Sequence, residues 1–184
     1  MRPTRLAGTG RPPIVRRCLP PLGGDATGPD PTNRGKLGTK RQVLADRRGA
    51  PLSVVLSAAN RTDMKRAEAV LDSLVIRRPP PTAAQPQHLC RDKGFDYPET
   101  DRAAQARGYV VHTARKRRRG QAPPPPPAAD RRHPARRWVI ERTNSWHNRF
   151  RKLRLRYEKT AANYLGWVQL ACALIVYRLC LFLG

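Results

Sequence analysis

The chain has 184 residues and carries 37 Lys and Arg against 13 Asp and Glu, which gives a formal net charge of +24. That balance predicts a polyanionic partner, either nucleic acid or an anionic membrane surface, and an arginine-rich coding bias is the alternative explanation of the excess. The four cysteines form no CxxC pair and have no zinc-type spacing to histidine, so neither a disulfide framework nor a zinc site is expected.

Residues 1–36 come first and are rich in Pro, Gly and Arg, so we expect them to be irregular and disordered. The next pattern predicts a β-hairpin, with strands over Arg41–Asp46 and Leu52–Ser57 joined by a turn. Apolar residues at helical spacing from Met64 to Val75 then predict a helix, which ends before the prolines at 79–81.

The middle of the chain predicts a strand, a helix and a second strand, over Gln87–Cys90, Pro98–Arg107 and Gly108–Thr113. A basic, Pro-rich loop follows at 114–135, and from Arg136 the pattern is helical. This order of elements predicts an α/β fold, a mixed sheet with flanking helices.

The last predicted helix contains a strongly apolar segment, Leu165–Leu183, which just reaches transmembrane length. A membrane anchor with a basic flank is therefore one alternative for this chain. Gln169 and Arg178 fall inside the segment, and a central Arg is costly in a bilayer, so we expect no membrane partner.

Asp92 stands at the end of a predicted strand and is followed at once by Lys93 and Gly94. Functional groups in open α/β sheets lie at the carboxyl ends of strands, and a carboxylate there is a natural ligand for Mg²⁺. The alternative is an ordinary turn-forming Asp beside a Gly.

Glu141 lies one turn after Arg137 on a predicted helix, and Asn148 and Lys152 continue that face. Such a carboxylate can bind a metal ion while the neighbouring cations hold DNA phosphates. The alternative is a surface salt bridge worth under about 1 kcal/mol. Together, a strand-end Asp and a helical Glu in so basic a chain indicate two-metal phosphoryl transfer, which normally requires a third carboxylate.

Three stretches of this sequence together resemble one family. They are Gly28–Lys36 through Asn60–Asp63, His88–Tyr97, and Arg136–Leu153 with its continuation to Leu174. They resemble transposases of the insertion sequence five group, which belong to the DDE class and have a ribonuclease-H-like fold. The likeness covers roughly residues 20–180 and is longest around Glu141. It implies a transposase catalytic domain over residues 37–184, in a cytoplasmic, nucleoid-associated protein.

The resemblance implies that Asp92 is the second catalytic Asp and Glu141 the catalytic Glu, both binding Mg²⁺ or Mn²⁺. Arg137 matches the Arg of the family's Tyr-Arg-Glu-Lys signature, the signature Tyr is missing, and Asn148 stands where some relatives have Lys. The implied partners are the element's terminal repeats and target DNA, together with a second copy in a homodimer. We expect phosphate contacts from six residues: Arg115, Lys116, Arg117, Arg137, Asn148 and Lys152.

The family's first catalytic Asp is the position that this sequence does not match. It should precede Pro21–Gly24 by several residues, yet there is no acidic residue between Met1 and Gly24. Asp25 and Asp30 fall in the loop after the expected strand. We therefore expect a truncated or frameshifted copy with impaired catalysis, because residues that act as a unit lose nearly all rate when one is removed.

The alternative function is a basic nucleic-acid-binding protein with no catalytic role, in which Asp92 and Glu141 would be dispensable. The helical spacing of Trp138, Trp146 and Phe150 could serve base stacking, but we expect these rings to be core. His88 and His112 lie in predicted strands and are expected to be structural.

Overall fold

The structure is a computed structural model that describes residues 16–113 and 137–183. The predicted basic loop at 114–135 lies outside the described residues, as do most of residues 1–16. Two layers of helices cover the two faces of a central β-hairpin.

The hairpin consists of β3 (Leu37–Ala45) and β4 (Pro51–Ala58), which pair antiparallel. Its turn is closed by Asp46, whose carboxylate accepts the backbone N–H groups of Arg48 and Ala50, each at 2.8 Å. The predicted hairpin is confirmed. β3 is longer than expected because it buries Lys40, Arg41 and Gln42, a polar run that no apolar alternation reveals.

Residues 16–36 were expected to be irregular, and the structure differs there. They contain β1 (Arg16–Cys18) and β2 (Gly28–Pro29), both paired antiparallel with β3. Asp30 is buried and pairs with Arg17 at 2.9 Å, and Cys18 lies in the core. This segment is ordered by polar contacts and by strand pairing with β3. The amino-acid composition of the segment predicts neither of them.

One helical layer lies over the face of β3 that carries Leu44. A 3₁₀ turn (Asp63–Arg66) leads into α1 (Ala67–Asp72), which is shorter than the predicted helix. β5 (Gln87–Arg91), a 3₁₀ turn (Lys93–Phe95), α2 (Pro98–Ala106) and β6 (Tyr109–Thr113) follow. β5 and β6 pair parallel, and they bury Leu89 and Tyr109 in the same apolar cluster as Leu44.

The other layer contains α3 (Arg137–Arg149), α4 (Arg151–Arg154) and α5 (Ala161–Leu183). It packs on the opposite face of β3, where Val43 and Ala45 meet Ile140, Leu153 and Tyr164. The predicted α/β class is confirmed, whereas the described strands do not form the single mixed sheet that was predicted. Among the described residues the strands form two sheets, one of four strands and one of two.

The helix predicted from Arg136 onward differs in two respects. It breaks at Phe150, which adopts an extended backbone, so Lys152 belongs to α4 and does not continue the face of Glu141. The buried face of α3 is also not the aromatic one: Val139, Ile140 and Thr143 are buried, whereas the Trp138 side chain is 51% exposed. The expectation that the aromatic rings are core is wrong for Trp138.

α5 buries one side of its length through Tyr164, Val168, Ala171 and Ile175, whose spacing is that of a single helix face. Over Ala161–Phe182 this helix is long and apolar enough to cross a membrane, by length and composition alone. Only 17% of its apolar window is buried among the described residues, and Tyr164, Val168 and Ala171 belong to the same apolar cluster as Val43 and Ile140.

Candidate functional site

Asp92 lies directly after β5, at the carboxyl end of that strand, and its side chain is exposed. Its Oδ1 accepts the backbone N–H of Gly94, and its carbonyl accepts the N–H of the buried Phe95 at 3.0 Å. The tight turn therefore holds the carboxylate at the strand end while leaving it open to solvent, where it can bind a cation.

The residue before Asp92 anchors the strand. Arg91 is buried and donates to the carbonyl of Thr100 at 2.8 Å and to Oγ1 of Thr113 at 2.9 Å, and it pairs with Asp101. Charge-assisted hydrogen bonds of this kind are stronger than neutral ones. Arg91 thus fixes the end of β5 to both α2 and β6, a role that sequence reasoning missed.

The two histidines of these strands tie them further. His88 Nδ1 lies 2.8 Å from Nε2 of His112, so one ring donates and the other accepts. This contact joins β5 to β6 and agrees with the structural role expected for both residues.

Glu141 lies on α3 with its side chain exposed, beside the buried Val139 and Ile140. The hairpin turn holds this part of the helix. Thr143 Oγ1 donates to the Gly49 carbonyl at 2.7 Å, and a Cβ at Gly49 would lie 3.0 Å from that hydroxyl. Only a glycine permits this approach, and it adopts a φ of +85°.

Arg142, the neighbour of Glu141, is held between two aromatic rings. Its guanidinium carbon lies 4.6 Å from the ring centroid of Trp138 and 5.0 Å from that of Trp146, and it donates to the Arg48 carbonyl. Cation–π contacts of this kind orient both partners. The three side chains follow one another at i, i+4 and i+8, a ladder visible in the sequence once the buried face is known.

Arg41 of β3 ties the three C-terminal helices to the sheet. It is fully buried, and its guanidinium donates to Oδ1 of Asn148 at 2.9 Å, to the Leu153 carbonyl at 2.8 Å and to the Tyr164 hydroxyl at 3.3 Å. These partners lie on α3, α4 and α5. Asn148, predicted to contact DNA, therefore uses its oxygen to hold this arginine.

His147 lies beside this cluster on α3 and is fully buried, with Nε2 3.3 Å from Sγ of Cys172. Burial, aided by the nearby Arg41 charge, lowers the pKa of His147 to about 4. Burial raises the pKa of the Cys172 thiol to about 12. Both groups are therefore neutral at pH 7.

The comparisons with known proteins decide the family. Residues 10–176 match the family described as Transposase DDE domain. A candidate transposase for insertion sequence element IS402 from Burkholderia cepacia is 30% identical over 156 residues, which cover 83% of this chain and 69% of that protein. The chain belongs to the DDE transposase family. No solved structure matches it.

Membership makes DNA-mediated transposition the function of this domain, DNA its substrate and a divalent metal ion its cofactor. The family's chemistry rests on acidic residues. Among residues 16–113 and 137–183, the structure brings no three His, Cys, Asp or Glu side chains together as a metal-binding group.

The two acids nearest the expected position of the first catalytic Asp, Asp25 and Asp30, both have protein partners. Asp25 lies at the start of α5, where its Oδ2 accepts the N–H of Ala161 at 3.4 Å and its own N–H donates to the Lys159 carbonyl. A carboxylate is stabilising at a helix N-terminus. Asp30 is buried against Arg17 and accepts the N–H of Thr32 at 2.9 Å. Asp30 is therefore enclosed by its partners, whereas the side chain of Asp25 is exposed.

Four further carboxylates are also engaged. Asp46 closes the hairpin turn, Asp63 pairs with Lys40 at 2.9 Å, and Asp72 pairs with Arg107 at 2.6 Å. Hydrogen bonding to Arg107 lowers the pKa of Asp72. Asp101 pairs with Arg91. Asp92 and Glu141 have exposed side chains, as do Asp25 and Asp72.

The residues predicted to contact DNA lie in different parts of the chain. Arg115, Lys116 and Arg117 lie outside the described residues. Arg137 is the first residue of α3 and precedes Glu141 by four positions. Lys152 is exposed on α4, with its Nζ 5.4 Å from the ring centroid of Trp167.

Proposed function

We propose that Asp92 and Glu141 are the two carboxylates of this transposase domain that bind its divalent metal ion, Mg²⁺ or Mn²⁺. Both are exposed, one at a strand end and one on a helix, and carboxylate oxygens are the ligands that these hard cations prefer. When bound, such an ion stabilises charge on the attacking and leaving oxygens of phosphoryl transfer. The contribution of the chain is to hold the two carboxylates rigidly, through Arg91 and through the contact of Thr143 with Gly49.

A ribonuclease-H-like arrangement is the fold we propose for the domain. Its support is the order of strands: an antiparallel group built on β3 precedes a helix and a parallel pair, β5 and β6. The family match begins at residue 10, and β1 and β2 pair with β3. We therefore place the start of the catalytic domain ahead of residue 37.

We further propose that this chain, on its own, cleaves DNA poorly or not at all. This proposal is supported by the acidic residues nearest the start of the sequence. No Asp or Glu precedes Asp25, and both Asp25 and Asp30 have structural partners. Two carboxylates that normally act with a third retain little of the rate.

DNA affinity does not depend on that acid. The net charge of +24 supports binding through phosphate contacts, which release counterions and are therefore salt-sensitive. We propose contacts from Arg115, Lys116, Arg117, Arg137 and Lys152, and from the amide nitrogen of Asn148, since its oxygen holds Arg41. Binding to terminal repeats and target DNA would place the protein on the nucleoid in the cytoplasm, as a homodimer when two element ends are paired.

The second candidate function is that of a non-catalytic, basic nucleic-acid-binding protein. The incomplete acid set favours it, because a domain that keeps its charge and loses its chemistry becomes a DNA-binding protein. Metal binding distinguishes the two functions, since only the first requires Asp92 and Glu141.

Calorimetric titration with Mn²⁺ in the presence of duplex DNA tests the proposal. Asp92→Asn and Glu141→Gln should each weaken Mn²⁺ binding by about tenfold or more, the loss of one charged ligand. Glu99→Gln, which removes an exposed acid from the first turn of α2, is the matched control and should leave the affinity unchanged. Equal Mn²⁺ affinity in all four proteins would refute the assignment.

A further inference from the structure

A cavity of about 490 Å³ lies between the end of α3 and the last turns of α5. Its aromatic lining comes from Trp146, Phe150 and Phe182, and its aliphatic lining from Ile175 and Leu179. Pockets of this size accommodate a small ligand and are typically apolar with a few placed polar groups. Phe182 is 79% exposed, so this apolar lining is covered only in part by the described chain.

The polar groups of the cavity are two guanidiniums, Arg149 on α3 and Arg178 on α5. Both side chains are exposed, and no acidic residue is among those that line the cavity. Arg178 is also the single charged residue in the sequence of α5. Two like charges beside an aromatic wall, with no carboxylate among the described residues that line the cavity, complement an anion that has a flat apolar body.

We propose that this cavity binds one nucleotide of single-stranded DNA, with its base against the aromatic lining and its phosphate on Arg149 and Arg178. Unpaired bases stack on aromatic side chains and on guanidinium planes, and Arg binds phosphate through paired N–H donors. The proposal rests on the proposed function, because it assumes that the domain acts on DNA.

The cavity shares a helix with Glu141. Trp146 follows Glu141 by five residues on α3, which places it about 7.5 Å farther along the helix axis at 1.5 Å per residue. Arg142 stacks on Trp146 and holds its indole in place before any ligand arrives. Trp146 and Glu141 are also about 140° apart around the helix axis, so the cavity lies on a different face of α3 from Glu141.

Fluorescence of Trp146 tests the proposal directly. The chain has three tryptophans, so Trp146 is the single indole in a Trp138→Phe, Trp167→Phe background. Phe keeps an aromatic ring at the two positions that contact Arg142 and Lys152. The probe is the tetranucleotide (dT)₄, with a duplex of mixed sequence for comparison. We expect (dT)₄ to quench Trp146 in a saturable manner, whereas an unchanged emission at saturating (dT)₄ would overturn the proposal.

Variants at the cavity sharpen the test. Arg178→Gln should weaken (dT)₄ binding about tenfold, the loss of one charge-assisted phosphate contact. Phe182→Ala should weaken it about fivefold or more through lost stacking. Arg154→Gln, an exposed cation of α4 that does not line the cavity, is the matched control and should leave (dT)₄ affinity within about twofold of the parent.

Two outcomes would overturn the inference. One is equal (dT)₄ affinity in Arg178→Gln, Phe182→Ala and the control. The other is that Arg178→Gln or Phe182→Ala changes the oligomeric state measured by sedimentation while the (dT)₄ affinity stays unchanged. That result would assign the cavity to a contact between copies of the chain. Asp92→Asn should leave (dT)₄ binding intact, so failure of the metal assignment and failure of the nucleotide site are distinguishable.

Discussion

His147 should make the stability of this domain depend on pH between about 4 and 6.5. Its pKa is lowered from 6.5 to about 4 in the folded protein, because the ring is fully buried and lies near the charge of Arg41. Between those two values the unfolded chain binds a proton that the folded protein does not. The free energy of unfolding therefore rises with pH across this window. The stabilising contribution of neutral His147 is lost as pH falls.

The pKa difference sets the size of the effect. At about 1.4 kcal/mol for each pKa unit, the full shift corresponds to roughly 3 kcal/mol, and near pH 5 roughly 2 kcal/mol should already be lost. That is a substantial share of the total for a domain whose stability is on the order of 5–15 kcal/mol. Above pH 6.5 the contribution is constant.

Urea unfolding followed by tryptophan fluorescence, at steps from pH 4.5 to 7.5, measures the effect. The comparison is with His147→Gln, which keeps a buried polar side chain of similar size and removes the titrating group. Over this window the free energy of unfolding of the variant should rise less steeply with pH than that of wild type. The two proteins differ only at residue 147, so the difference between the two slopes isolates His147. Parallel slopes in the two proteins would refute the reasoning.

Three further changes probe the supports of the site. Arg41→Met should lower the free energy of unfolding by about 2 kcal/mol or more, since buried acceptors on α3, α4 and α5 lose their donor, and urea unfolding measures it. Gly49→Ala should cost about 1–3 kcal/mol by the same assay, through strain at φ +85° and contact with Thr143. Asp25→Ala should lower stability by about 1 kcal/mol yet leave Mn²⁺ affinity unchanged, and a loss of Mn²⁺ affinity there would make Asp25 a metal ligand.

Much of the fold could be predicted because its elements follow local rules. The hairpin, the strand before Asp92 and the helix from Pro98 have turn residues, apolar patterning and a helix-start Pro that act over a few neighbours. β1 and β2 were missed for the opposite reason. These strands form because they pair with β3 and because Arg17 contacts Asp30. The local sequence of either strand predicts neither interaction.

The acids of the site were visible in the sequence, and their supports were not. Asp92 and Glu141 stand in recognisable local settings, a strand end and a helix face. Arg41 contacts Leu153 and Tyr164, 112 and 123 residues away in sequence, so its role follows only from the packing of distant elements. The engagement of Asp25 with the start of α5 is a long-range contact of the same kind.

The aromatic residues of α3 illustrate a second limit. Trp138 and Trp146 looked like a buried stripe because large apolar side chains are usually core. In the structure Arg142 stacks on both rings, so the indoles are held at the surface by a cation, and the smaller Val139, Ile140 and Thr143 face the sheet. Helical spacing identifies a face and leaves open whether that face is buried.

The most direct test of the central claim is metal-dependent nicking of DNA that carries the element's terminal repeats, in Mg²⁺ and in Mn²⁺. Asp92→Ala and Glu141→Ala serve as controls, and DNA binding is measured over a range of salt concentrations on the same samples. The account predicts salt-sensitive DNA binding without nicking, because the third carboxylate is missing. Nicking by the wild-type chain that both substitutions abolish would contradict it and would mean that the site is complete.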